Sequence, residues 1–115
     1  MKLLITGGAG CLGSNIIEYF LPKGIEICVI DNFVTGKKEV VPNLSGLTVI
    51  NGNIGDIKLI QKTFKSFKPT HVIHSAASYV DPDDWITDVE TNVKGTINLA
   101  RVIHNLSIER FINFQ

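Results

Sequence analysis

No apolar run in these 115 residues approaches the roughly 18 residues that a membrane-crossing helix needs, so a spanning segment is not expected. The N-terminus passes straight into a strand-like stretch rather than a cleavable leader, and the expected compartment is the cytoplasm. Cysteine is scarce. Cys11 and Cys28 stand apart, with no C-x-x-C and no regular spacing, which excludes a disulfide scaffold. Both are expected to be reduced, buried small residues; the alternative for Cys11, a reactive thiol, has no nearby residue to act as its base. His71 and His74 lie an odd number of positions apart on a strand-like stretch and so face opposite ways, and His104 is remote in sequence, so no metal site is expected. Net charge is missing too. Eleven basic and eleven acidic residues cancel, and nothing draws the chain toward nucleic acid or an anionic membrane. The adjacent Lys37 and Lys38 read as solvated surface, and no internal repeat or low-complexity segment occurs.

What is present is a 44% hydrophobic content, sufficient for one domain over residues 1–115 with a small core, and 10 glycines. Three of those glycines organise the chain. Leu3 to Ser14 reads LLITGGAGCLGS: an apolar strand runs into Gly7, Gly10 and Gly13, spaced T-G-x-x-G-x-x-G, and then into a helical pattern. In a strand-turn-helix unit each glycine has its own task. Gly7 lets the chain leave the strand through a conformation closed to side chains. Gly10 lets backbone N–H groups approach phosphate oxygens, and Gly13 lets the helix pack closely on the strand. The unpaired N–H groups and positive dipole end of that helix then face an anion, so the turn reads as a pyrophosphate cradle.

Beyond the turn, strand and helix patterns alternate. Apolar residues at Leu12, Ile16, Ile17 and Phe20 mark a helix from Cys11 to Leu21, stopped by Pro22 and Gly24. Ile25 to Ile30 is a second buried strand. Asn32 to Gly46 has no sustained period and reads as a long irregular connection with one helical turn around Lys38 to Val41. Leu47 to Ile50 is a third strand, after which Asp56 is placed to cap a helix through about Phe67. His71 to His74 is a fourth strand. The longest helical pattern follows, roughly Asp84 to Asn105, with Trp85, Val89, Val93, Ile97, Ala100 and Ile103 recurring every three or four residues. Arg110 to Phe114 is a fifth strand. Alternation of this kind predicts an α/β fold, a Rossmann-type doubly wound parallel sheet in the order 3-2-1-4-5 with the glycine turn at its switch point.

Asp31 closes the second strand. A carboxylate there accepts hydrogen bonds from adenosine ribose hydroxyls and repels a 2′-phosphate, which favours NAD over NADP. The competing reading is an Asx turn begun by Asp31 and Asn32. Asp81, Asp83 and Asp84 cluster before a helix and read as caps rather than paired catalytic acids.

Taken together, TGGAGCLGS at 6–14, DNFVTGKKE at 31–39, HSAAS at 74–78 and TNVKGTINL at 91–99 resemble the N-terminal part of an extended short-chain dehydrogenase/reductase, in the NAD-dependent epimerase/dehydratase family that acts on nucleotide sugars. The resemblance implies a cofactor site of Gly7, Gly10, Cys11, Leu12 and Gly13. It implies Asp31 and Asn32 on the adenosine ribose, with Thr35, Gly36 and Lys37 folded over that end; Lys37 as surface charge is the alternative. Asn53 and Ile54 stand where the family has an acid and an apolar residue beside adenine, and an Asn oxygen still accepts that bond. Ser75, Ala76 and Ala77 would floor the cleft, a role open also to simple packing beneath a helix. Tyr79 is open between cofactor contact and a half-buried aromatic lid. Asn92, a poor helix former in mid-helix, would fix the active-site backbone, against an exposed Asn on a wet face.

The family's base is a Tyr with a Lys four residues later, beyond the fifth strand. Tyr19 and Lys23 have that spacing but lie on the first helix, away from the nicotinamide end, and read as coincidence. The catalytic residues are therefore expected after Gln115. The resemblance implies NAD as cofactor, a nucleotide sugar as substrate, and a homodimer packed through the helix 84–105. A stand-alone dinucleotide-binding module and an NADP-linked reductase are the alternatives.

Overall fold

The structure is a computed structural model and describes residues 1–114. Five parallel strands form one sheet in the order β3-β2-β1-β4-β5: Lys2–Thr6 (β1), Glu26–Asp31 (β2), Leu47–Asn51 (β3), His71–His74 (β4) and Arg110–Asn113 (β5). The expected order is the observed one. Parallel neighbours require crossovers, and helices Cys11–Phe20 (α1) and Ile57–Phe67 (α2) supply two of them. Side chains on β1 alternate: Leu3 and Ile5 join Ile17, Ile27, Val29 and Ile73 on the α1 face, while Leu4 joins Ile30, Ile60, Phe64, Val72 and Leu99 on the other. The same parity turns Thr6 and His74 toward the second face, where they are buried.

Helix boundaries follow local chemistry. The first helix ends in a 3₁₀ turn, Leu21–Lys23, closed by Gly24 in the left-handed region. Asp56 caps α2 as expected, its Oδ1 accepting from the backbone N–H groups of Lys58 (2.9 Å) and Leu59 (3.2 Å). The turn near Lys38 is a 3₁₀ turn, Lys38–Val40. Of the three acids before the long helix only Asp84 caps it, accepting from the Thr87 N–H (3.0 Å), a bond that holds its carboxyl below its ordinary range; Asp81 instead closes a local turn by accepting from the N–H of Asp83 (3.0 Å).

The long helix, expected roughly from Asp84 to Asn105, is helical from Trp85 to His104 but changes its winding: Trp85–Asp88 (α3), a wider π-helical segment Val89–Gly95, and Thr96–His104 (α4). Its inward face is also polar in part. Thr91, Gly95, Asn98 and Leu99 are buried, whereas Trp85, Val89, Val93 and Ile97 are 74%, 55%, 52% and 51% exposed. An interval of four keeps those apolar residues on one outer face through the widened turn. Gly95 lies so close to Ile54 that a β-carbon there would meet its side chain at 2.5 Å.

In the glycine turn backbone lies directly against backbone. Gly7 has φ +74°, and a β-carbon on it would stand 2.7 Å from the Ala76 nitrogen. A β-carbon on Gly13 would overlap the Gly7 carbonyl oxygen and the Gly8 Cα, both backbone atoms. Gly24, by contrast, has φ +75° but open space around it. Gly13→Ala is therefore expected to cost about 3 kcal/mol, the upper range for overpacking against atoms that cannot yield. Gly24→Ala should cost about 1–2 kcal/mol, from backbone strain alone. Urea unfolding of the two variants checks this, and equal losses would mean that close packing at Gly13 is not limiting.

Candidate functional site

At the C-terminal edge of the sheet, between β1 and β4, the strand order turns outward in both directions and a cleft opens, as expected of a switch point. One wall is the glycine turn with the start of α1. Gly10 is the N-cap of α1 and brings no capping side chain, and the first turn carries no acid. Gly7, Gly10, Cys11, Leu12 and Gly13 line the cleft, so the orphan N–H groups that every helix start possesses lie at its wall.

Asp31 stands beside that wall, 7% exposed. Its Oδ2 accepts from the Ala9 N–H at 2.8 Å and its Oδ1 from the Phe33 N–H at 2.8 Å. The second bond is the Asx turn weighed above; the first is not local and ties β2 to the glycine turn. Each oxygen keeps accepting capacity, and the residue lines the cleft. Asn32 makes its own Asx turn, accepting from Val34 at 3.1 Å. Thr35 and Gly36 line the cleft because the loop folds back over the turn: the Lys37 N–H donates to the Ala9 carbonyl at 3.3 Å, and Gly36 sits against Ala9.

The opposite wall and floor come from β3, β4 and the long helix. Asn53 and Ile54 line the cleft, with Gly52 beside them. The Asn53 side-chain oxygen already accepts from Gly55 N–H at 2.8 Å and retains one lone pair. Ile54 is buried, and Asn98 donates from its amide nitrogen to the carbonyls of Ile54 (3.1 Å) and Gly55 (3.0 Å), holding that corner to α4. Ser75, Ala76 and Ala77 line the floor, with the Ser75 hydroxyl and N–H both donating to the Thr6 carbonyl at 2.8 and 3.1 Å.

Several expectations need correction. Cys11 is exposed, not buried, because the first residue of α1 projects from the turn with nothing packed over it; Cys28 is buried, and burial pushes its thiol up to about 11 against the opposing pull of Lys2. Tyr79 lines the cleft but is 76% exposed, so it is a rim residue rather than a half-buried lid. Lys37 and Asn92 are not among the lining residues. Lys37 reaches the turn by its backbone, with its side chain in solvent. Asn92 lies outside the lining but holds the backbone of Ser78, next to the floor residue Ala77, accepting from its N–H at 2.9 Å and donating to its carbonyl at 2.8 Å. Ile30, Gly52 and Thr91 line the cleft without having been singled out. Asn98 was missed as well, although it carries the same signal as Asn92, a poor helix former inside a helix.

The sequence matches the NAD dependent epimerase/dehydratase family over residues 3–115. This chain belongs to that family. It is 59% identical to the Bordetella bronchiseptica enzyme WbmG, whose crystal structure in complex with NAD and UDP it matches with a TM-score of 0.98 over 100% of this chain and 37% of that one. It is 33% identical to CDP-paratose 2-epimerase of Salmonella typhi over 110 residues, 90% of this chain and 32% of that protein. A probable dTDP-glucose 4,6-dehydratase of Sinorhizobium fredii is also 33% identical, over 86% of this chain and 30% of its own length. The chain thus spans about a third of the length of the relatives it matches.

Within the family frame, Tyr19 and Lys23 take no part in the cleft: Tyr19 is 62% exposed on α1 and Lys23 lies 4.0 Å over its ring. Among the described residues no group of His, Cys, Asp or Glu could hold a metal, and no helix is long and apolar enough to cross a membrane. His74 is buried, its ring between the hydroxyls of Thr6 (2.7 Å) and Thr96 (2.9 Å), and burial lowers its pKa below 6.5. The unfolded chain therefore binds this proton more readily than the folded one. Stability from the neutral ring is complete above about pH 6.5 and is lost as pH falls toward the lowered folded pKa, at most about 1.4 kcal/mol per pH unit. Unfolding midpoints measured from about pH 7 down to about 5.5 should fall in the wild type and flatten in His74→Gln; parallel curves would contradict this.

Proposed function

We propose that residues 1–115 form the NAD-binding part of an enzyme that epimerises or dehydrates a nucleotide sugar. The observation that carries this reading is the uncapped start of α1 facing the cleft beside the Asp31 carboxylate. N–H groups suited to a pyrophosphate and a carboxylate suited to ribose hydroxyls stand on one continuous wall. The relatives support the same assignment by their names: one neighbour binds NAD and UDP, and others act on CDP- and dTDP-linked sugars.

Bound NAD would supply a reversible hydride acceptor for a sugar hydroxyl. The chain's own residues bind and orient. The N–H groups from Cys11 to Gly13 take the pyrophosphate, and Asp31 and Asn32 take the adenosine ribose. Thr35 and Gly36 cover that end, held by the Lys37 backbone. Asn53 and Ile54 flank the adenine, with the free lone pair of Asn53 toward its amino group. Ser75, Ala76 and Ala77 form a floor of small residues that admits the dinucleotide, and Tyr79 stands at the rim. The base that moves the substrate proton is assigned outside these residues. A stand-alone binding module and an NADP-linked reductase remain the competing readings, and the acid at Asp31 disfavours the second by repelling a 2′-phosphate.

Calorimetric titration tests the cofactor and separates the NAD reading from the NADP-linked reductase. NAD should bind at least about tenfold more tightly than NADP. Absence of heat with NAD would sink the cofactor assignment, and tighter binding of NADP would favour the reductase.

The outer stripe of Trp85, Val89, Val93 and Ile97 supports a homodimer through the helix spanning 84–105, since a row of large apolar residues on one face is stabilised by cover. Light scattering should show more than a monomer for the wild type and a shift toward monomer in Val93→Glu. A monodisperse wild-type monomer would contradict the assignment.

A further inference from the structure

One set of hydrogen bonds outside the cleft lining has a direction that can be worked out. The Thr96 hydroxyl lies 2.7 Å from the Asn92 carbonyl, which can only accept, so its single proton is spent there. Toward His74 Nε2, at 2.9 Å, Thr96 Oγ1 is then an acceptor, and Nε2 must carry the proton. A neutral imidazole has one N–H, which leaves Nδ1 bare. Nδ1 accepts from the Thr6 hydroxyl at 2.7 Å, and the Ala76 N–H points at that same Thr6 oxygen from 3.4 Å. The opposite tautomer would set a bare Nε2 against a hydroxyl whose proton is already committed. His74 is buried, and its Nε2 would then face Thr96 Oγ1 at 2.9 Å with no proton between the two acceptors.

Both ends of this directed chain return to one strip of backbone. At one end is the Ala76 N–H; at the other, the carbonyl of Asn92, whose side chain holds Ser78 by two bonds. We propose that His74 is a positioning residue for the dinucleotide cleft: its single tautomer locks β1, β4 and the start of α4 together and so fixes the course of the Ser75 to Ser78 strip beneath the ligand. This rests on the reading of that cleft as an NAD site. The imidazole touches no ligand; it acts through Thr6 and Thr96.

Two measurements test it. In ¹⁵N-histidine NMR spectra of the wild-type chain, His74 should show the protonated-Nε2 tautomer alone. A protonated Nδ1, or averaging between tautomers, would overturn the direction of the chain and the proposal with it. In NAD titrations, Thr96→Val removes the acceptor while keeping the side-chain shape and should raise Kd about tenfold, while Thr96→Ser, which restores the hydroxyl, should bind within about twofold of wild type. Thr96→Val at wild-type affinity, or Thr96→Ser as weak as Thr96→Val, would overturn the positioning role. Failure of the wild type itself to bind NAD would instead overturn the functional reading, while the NMR result would still decide the bond direction. The wild-type spectra need no variant to fold.

Discussion

The contact on which the rest of the site depends is the one with no room for a β-carbon. Gly13 sets α1 directly on the carbonyl of Gly7, and Gly7 in turn lies against the backbone of Ala76. With those approaches closed, the first turn of α1 stands at the end of β1 and the tip of the turn reaches β2. There Ala9 N–H meets the Asp31 carboxylate, and the Ala9 carbonyl receives Lys37 N–H. A helix displaced outward by one side chain would carry Ala9 away from both partners. The cradle, the ribose acid and the covering loop are consequences of one short distance.

The two crossover helices show what that geometry is for. At α2, Asp56 satisfies two of the free N–H groups and supplies a negative charge to the dipole, a cap worth about 1 kcal/mol. At α1 the equivalent position is Gly10, and neither cap nor acid is present. The structure forgoes that stabilisation at the helix start that lines this cleft. It keeps its acid instead at Asp31, which lines the cleft, is bound by two N–H groups and retains accepting capacity on each oxygen. A helix start left open, next to a carboxylate held rigid, is an arrangement suited to a ligand carrying phosphates at its centre and hydroxyls at its end.

Much of this was legible because it is written in local patterns. Strand order follows from alternation and crossover geometry, and the tasks of Gly7 and Gly13 from their place between strand and helix. Asp56 announces its cap by position alone. What escaped depends on partners distant in the chain. Cys11 sits in an apolar-looking turn, yet whether anything covers it is decided by other elements. The widened turn at Val89–Gly95 leaves the three-to-four spacing of the apolar residues intact, so periodicity could not register it. Asn98 and His74 take their meaning from Ile54, Gly55, Thr6 and Thr96, brought together only by the sheet. For His74 one half was readable: strand parity puts it on the face of Thr6 and Val72, away from His71.

That long helix carries its polarity in an unusual sense, with Thr91 and Asn98 inward and Trp85, Val89, Val93 and Ile97 outward. The polar groups of the helix are bonded rather than stranded: buried Asn98 holds the corner at Ile54 and Gly55, exposed Asn92 holds Ser78, and half-buried Thr96 closes the bond to His74. Each of these bonds positions a segment beside the cleft, while Leu99, Val102 and Ile103 anchor the far part of the helix in the core and Trp85, Val89, Val93 and Ile97 line its outer side. A helix held to its own sheet partly by directed bonds gains rigidity from whatever packs on its outer face. A second copy laid along that stripe would therefore stiffen the element that holds the cleft floor, which places cofactor binding and assembly on the same helix.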